Sequence, residues 1–240
     1  MDDTAVLVAV LRAALPPQQV SDLGDADLVR FLRASSMELD DAYARVRAHL
    51  EWVDRVQPGS ITQTLAVRSV LRDGVVRLID GGRRPVLWVQ AACWCPTAYD
   101  VDTFVTAVVY VVEKALALGD SFVAVFDLSG WSHTYMWHLG KLCKLIDTLH
   151  AHYPLRLDLA VIARAPLFFD VAWRILKRAI DPITVRKVTF AVDQALVPEL
   201  LAHVIDANAL PVELGGTRCI SEPIPVPNIP GEPDAASDGV

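Results

Sequence analysis

Apolar side chains recur at helical spacing through the first third of the chain. Asp25 reads as a cap before Leu28, Val29, Phe31 and Leu32, and Leu39, Tyr43, Val46, Leu50 and Val53 repeat until Gln57-Pro58-Gly59 ends the pattern. A shorter, less patterned helix precedes them over residues 6–15. From residue 75 the period changes. Residues 75–79 and 86–89 are short, partly β-branched runs flanking Asp80-Gly81-Gly82-Arg83, which reads as a turn between two strands. Beyond them the pattern predicts helix 101–118, strand 121–127, helix 134–151, strand 157–163, helix 166–180, strand 188–192 and helix 197–205. Such alternation predicts an α/β fold with a mixed, mainly parallel sheet. The runs at 121–127 and 157–163 are almost continuously apolar, as strands covered on both faces should be. The expected organisation is a helical subdomain over 1–58, an α/β domain over 59–220, and a Pro-rich acidic tail over 221–240 that is disordered or extended.

Helix 166–180 departs from ordinary core behaviour. At about 100° per residue, Asp170, Arg174, Lys177, Arg178 and Asp181 share one narrow sector. Everything else on it is apolar: Phe168, Val171, Ile175 and Ala179 form one stripe, and Phe169, Trp173, Leu176 and Ile180 form a second beside it. Surface helices carry a narrower apolar face. Either the helix is wedged between others, or one stripe faces a cavity or bilayer with Arg174, Lys177 and Arg178 placed for lipid phosphates.

Composition sharpens this picture. The chain has 240 residues, 53% hydrophobic and 21% charged, which excludes disorder and a disulfide-stapled miniprotein. A mean hydropathy of +0.34 is high for a globular chain. No run reaches the roughly 18 apolar residues of a membrane span, because the longest stretch is cut by Asp102, Thr103, Thr106, Glu113 and Lys114. The N-terminus lacks the basic and apolar regions of a signal peptide, so a cytoplasmic protein is expected, peripheral on membranes if its apolar helix meets one. A net charge of -7 gives no general attraction to nucleic acid. Cys93, Cys95, Cys143 and Cys219 read as scattered reduced thiols, and no second Cys/His pair joins Cys93-Trp94-Cys95 into a metal site.

No catalytic set coheres. Gly130-Trp131-Ser132-His133-Thr134 lacks the final Gly of a nucleophile elbow, and adjacent Ser132 and His133 are poorly placed to form a triad with Asp127. His150 and His152 stand two apart, on different faces of a helix. No cofactor is implied.

Several short motifs in order resemble the CRAL-TRIO family, the fold of retinaldehyde-binding, tocopherol-transfer and phosphatidylinositol-transfer proteins. Asp25-Ala26-Asp27-Leu28-Val29-Arg30-Phe31-Leu32-Arg33-Ala34 is similar to the D-x-x-L-x-R-F-L-R-A of its N-terminal helices, with Trp52 ending the next helix. Gly82-Arg83-Arg84-Pro85-Val86 resembles G-R-P-V with one extra Arg. Tyr153-Pro154, Ala165-Pro166, the run from Asp181 to Lys187, and Leu210-Pro211-Val212-Glu213-Leu214-Gly215-Gly216 complete the series. The resemblance implies a curved sheet flooring an apolar pocket for one lipid. It also implies that the helix before Asp181-Pro182, the one with two apolar stripes, is a movable gate. Pocket and gate residues would be Phe122, Ala124, Leu155, Phe169, Trp173, Leu176 and Ile180. Arg174, Lys177 and Arg178 would meet the membrane, and Thr184 and Lys187 the head group.

The head-group positions depart from the family pattern. Leu155 replaces the Glu that usually follows Tyr-Pro, Ser35 replaces a third Arg, and Phe122 and Ala124 stand where phosphatidylcholine binders carry hydroxyls. These losses favour a less polar ligand end, so a sterol, isoprenoid or fatty-acyl compound stands beside a phospholipid or phosphoinositide as the expected ligand. The expected action is lipid binding and transfer by a monomer in transient contact with membranes, without covalent chemistry. A membrane-responsive interaction scaffold is the alternative, and a serine hydrolase using Ser132 is the least favoured.

Overall fold

The structure, a computed structural model, describes residues 3–16, 23–59, 65–80, 83–191, 193, 195–206 and 208–219. The tail beyond residue 220 and the turn glycines Gly81 and Gly82 lie outside them.

The N-terminal helices α1 (Asp3–Ala14), α2 (Asp25–Ala34) and α3 (Leu39–Val56) bury a cluster of their own. Val8 and Leu11 of α1 meet Leu28, Phe31 and Leu32 of α2 and Val46 and Leu50 of α3. The α2 cap is Gly24, one residue before the predicted Asp25: its N–H donates to Asp27 Oδ2 at 3.2 Å, while Asp25 pairs with Arg12 at 2.8 Å. Helix α4 (Leu65–Arg72) leads into the sheet.

Five strands follow: β1 (Val76–Asp80), β2 (Pro85–Gln90), β3 (Phe122–Asp127), β4 (Leu157–Ala163) and β5 (Val188–Ala191), in spatial order β1-β2-β3-β4-β5. β1 and β2 pair antiparallel from Val76–Val89 to Asp80–Pro85, and every later pair is parallel. This is the mixed, mainly parallel sheet that the alternation predicts. Because the parallel strands advance one place at a time, crossovers of one hand put all their helices on one face. Helices α5 (Val101–Leu116), α6 (Leu139–His152) and α7 (Phe169–Leu176) accordingly share one apolar cluster. After the short α8 (Pro182–Val185) and β5, helix α9 (Leu196–Leu201) and the following segment cover the other face, where Val123, Val125 and Val161 meet Val197, Leu201 and Leu214.

Several predicted helices are shorter than their periodicity: 101–118 ends at Leu116 and 197–205 at Leu201. Residues 134–151 divide into a 3-10 segment, His133–His138, and α6. Residues 166–180 contain only the eight-residue α7. Beyond Leu176 the chain tightens, with Arg178 N–H donating to Ile175 O and Ala179 N–H to Leu176 O.

Candidate functional site

The alternation of β3 determines which residues look toward α7. Phe122 and Phe126 pack in the cluster under α5, α6 and α7, whereas Val123 and Val125 pack on the other face, and Ala124 follows Phe122 by the period of two. Phe122 and Ala124 are both buried.

Helix α7 separates its two stripes. Phe169 and Leu176 are buried, and Trp173 and Ile180 are half-buried. Phe169 meets Trp131 edge-on with ring centroids 5.0 Å apart, and Trp173 meets Phe190 of β5 edge-on at 5.4 Å. Phe168, from the other stripe, stacks on His133 at 3.7 Å. Val171 and Ile175 of that stripe face outward, 46% and 42% exposed, and Ala179 is half-buried. Leu167, just before the helix, is 99% exposed, and Trp137 is 88% exposed in the segment that also carries His133. Arg174, Lys177 and Arg178 are exposed beside them, with Arg174 paired to Asp170 at 3.1 Å. Helix α6 adds Leu142, Leu145, Ile146 and Leu149, all only partly buried although they pack on the same cluster.

Leu155, Thr184 and Lys187 gather at one end of the sheet, the N-terminal ends of β4 and β5. Leu155 is half-buried in a tight turn with φ 58°. Lys187 Nζ donates to Leu157 O at 2.5 Å, and the Thr184 N–H donates to Asp181 Oδ1 at 2.9 Å. Asp181 also accepts from the Ile183 N–H and lies 3.4 Å from His150 Nδ1, and its hydrogen bonds with Thr184 help hold its carboxyl below the usual range although burial opposes this. Ser35 is buried, with no hydrogen-bond partner for its Oγ.

The hydrolase set is otherwise engaged. Asp127 is buried and forms a bidentate pair with Arg164, whose Nε lies 2.8 Å from Oδ1, and the same oxygen accepts from the Ser129 N–H at 3.0 Å. Ser132 Oγ accepts from the Thr134 N–H at 3.2 Å, and the His133 ring lies on Phe168.

Sequence reasoning missed a second polar region. A cavity of about 690 Å³ opens where α2 and α3 meet the end of α6, lined among others by Asp27, Arg30, His49, Glu113, His152 and Arg156. Asp27 pairs with Arg30 at 3.0 Å and with Arg156, and Arg156 also donates to Asp120 O at 2.7 Å. Trp52 stacks on His152 with centroids 4.1 Å apart, and His49 lies 5.7 Å from His152. Burial pushes both imidazoles down to about 4. Burial, reinforced by Glu113, pushes the Tyr153 hydroxyl up, and that hydroxyl donates to Glu113 Oε1. The spacing of His150 and His152 did place them on different faces, but it carried no sign that His152 would meet a histidine of the N-terminal helices.

Similarity to known proteins agrees with this arrangement. A 27% identity over 213 residues links the chain to the phosphatidylinositol transfer protein CSR1 of Eremothecium gossypii, covering 81% of this chain and 48% of that protein. The protein real-time of Anopheles gambiae is 26% identical over 212 residues, 79% of this chain and 31% of its own length. The CRAL-TRIO domain-containing protein C3H8.02 of Schizosaccharomyces pombe is 27% identical over 180 residues, 69% of this chain and 40% of that protein. The chain thus spans about half the length of these relatives or less. The crystal structure of Sfh5 superposes with a TM-score of 0.69 at 16% identity over 83% of each chain, a likeness of fold. Residues 74–216 match the CRAL/TRIO domain model, so this chain, with its five-stranded sheet, belongs to the CRAL-TRIO family of lipid-binding and lipid-transfer domains.

Proposed function

We propose that the chain holds one lipid or other hydrophobic small molecule between the sheet and α7, and carries or presents it between membranes with α7 as a movable gate. The observation that carries this reading is the two-sided apolarity of α7. Phe169, Trp173 and Leu176 turn in, while Val171 and Ile175 turn out next to Leu167 and Trp137. A helix that only sealed a core would have no use for the outer stripe. Exposing an acyl chain to water costs about 0.8 kcal/mol per methylene, or on the order of 10 kcal/mol per chain. Opening against a bilayer avoids that exposure, because the ligand then moves between two oily surroundings. Arg174, Lys177 and Arg178 aid docking by about 1 kcal/mol each near an anionic surface.

The Eremothecium relative's name speaks of phosphatidylinositol, and Thr184 and Lys187 keep that class open here. Three features support a less polar ligand end: Leu155 in place of a carboxylate, the buried Ser35 in place of an arginine, and the Lys187 ammonium turned to Leu157 O. A sterol, isoprenoid or fatty-acyl compound therefore stands level with a phosphoinositide.

Vesicle-to-vesicle transfer of fluorescent phosphatidylinositol, sterol and fatty-acyl probes tests the reading. Wild type accelerates transfer of one class, and Trp173→Glu abolishes loading. Lys177→Glu with Arg178→Glu leaves loading intact and slows delivery to anionic vesicles. Equal transfer by wild type and Trp173→Glu would overturn the gate.

A further inference from the structure

Both ends of the α7 segment are tied down by an aspartate, and the two ties differ in stiffness. At the near end, Ala163 closes β4 in register with Asp127 on one side and Ala191 on the other. The next residue, Arg164, turns into the left-handed region with φ 55°, a conformation that Cβ disfavours. Its guanidinium returns to the neighbouring strand and grips both carboxylate oxygens of Asp127, whose side chain is 3% exposed and is held again by the Ser129 N–H. The bend that launches the α7 segment is thus bolted to the sheet by a planar, two-point contact. The far end is softer: Asp181 caps α8 and meets His150 of α6 through a single 3.4 Å contact at a partly exposed site. Between the ties, Trp173 reaches the sheet at Phe190, which lies on the edge strand β5 and is 40% exposed.

We propose that Arg164 is a positioning residue whose pair with Asp127 fixes the pivot of the gate, so that α7 lifts away from Phe190 while its first turn stays registered on the sheet. The proposal rests on the reading of α7 as a gate. The strained bend and the ion pair separate by substitution. Arg164→Ala loses the pair and keeps the strain, Arg164→Gly loses both, and Arg164→Lys keeps the charge with a single contact point.

Hydrogen exchange across residues 165–181, measured without added ligand beside the exchange of β3 and β4, provides the test. The expected result is gate-segment exchange about tenfold or more faster in Arg164→Ala, with the strands unchanged. Arg164→Gly recovers thermal stability over Arg164→Ala yet keeps the fast gate exchange, and Arg164→Lys, the variant safest for folding, falls between wild type and Arg164→Ala. Gate exchange at the wild-type rate in Arg164→Lys and Arg164→Gly, or acceleration spread evenly over gate and strands, overturns the proposal and leaves the pair a stabilising contact only. Because this readout uses no lipid, a gate that responds in a protein transferring no lipid would sink the lipid reading and leave the pivot standing.

Discussion

The two faces of the sheet are built from one set of strands and packed differently. On the face covered by α9, Val123, Val125 and Val161 meet Val197 and Leu201, all fully buried, and among the described residues only Leu159, Leu200 and Ala209 pack on this cluster while partly exposed. The face under α5, α6 and α7 is more aromatic, and beside the enclosed Val109, Val111 and Val112 of α5 it carries residues that remain half-open: Phe126, Leu142, Leu145, Ile146, Leu149 and Trp173 all pack on the cluster without being enclosed by it. Close packing on the first face is what a solid core requires. The second resembles a wall, on which apolar side chains present surface that another apolar body can cover. The high mean hydropathy of +0.34 without a membrane-spanning helix among the described residues fits a chain that lines a space as well as filling a core.

Substitutions can break this contrast. The largest effect is expected at Trp88, 2% exposed on the solid face: Trp88→Ala loses both transfer and cavity terms, about 3–5 kcal/mol by urea unfolding. Phe169→Ala, on the wall side, loses mainly the transfer term, about 1.5–3 kcal/mol, and lowers lipid retention as well. Equal losses at the two sites would show that both faces are solid. Acidification probes the seam between the subdomains instead. His49 and His152 sit near 4 in the fold against 6.5 unfolded, so the fold favours their neutral forms. Their contribution is complete above about pH 6.5 and is lost as pH falls toward 4. The urea midpoint should fall between pH 7 and pH 5, and by less in His152→Phe. A midpoint that rises on acidification contradicts the assignment. The smallest effect belongs to the outer stripe of α7, where Val171→Ala changes stability by less than about 0.5 kcal/mol yet weakens vesicle binding.

Much of this was legible in the chain because periodicity reports burial. The order of strands and helices follows from the switch between the two periods, and the double stripe of residues 166–180 singled out α7 before any packing was known. The stripes could not say which faced inward. That depends on the crossover placing Phe169 and Trp173 against Trp131 and Phe190, a long-range fact. Helix ends were less legible, since Gly24 caps α2 through the side chain of Asp27 and α7 tightens after Leu176. The resemblance named Leu155 without its conformation, a left-handed turn just before β4. Asp127 closes β3, where its side chain accepts from the Ser129 N–H. Its partner Arg164 lies 37 positions away, beyond the reach of any local pattern.

Native mass spectrometry of the purified protein, with extraction and identification of whatever remains bound, tests the central claim most directly. One lipid per chain in the wild type, absent from Trp173→Glu of unchanged fold, is the predicted result. A ligand-free wild-type protein that also fails to extract labelled lipid from vesicles would contradict it.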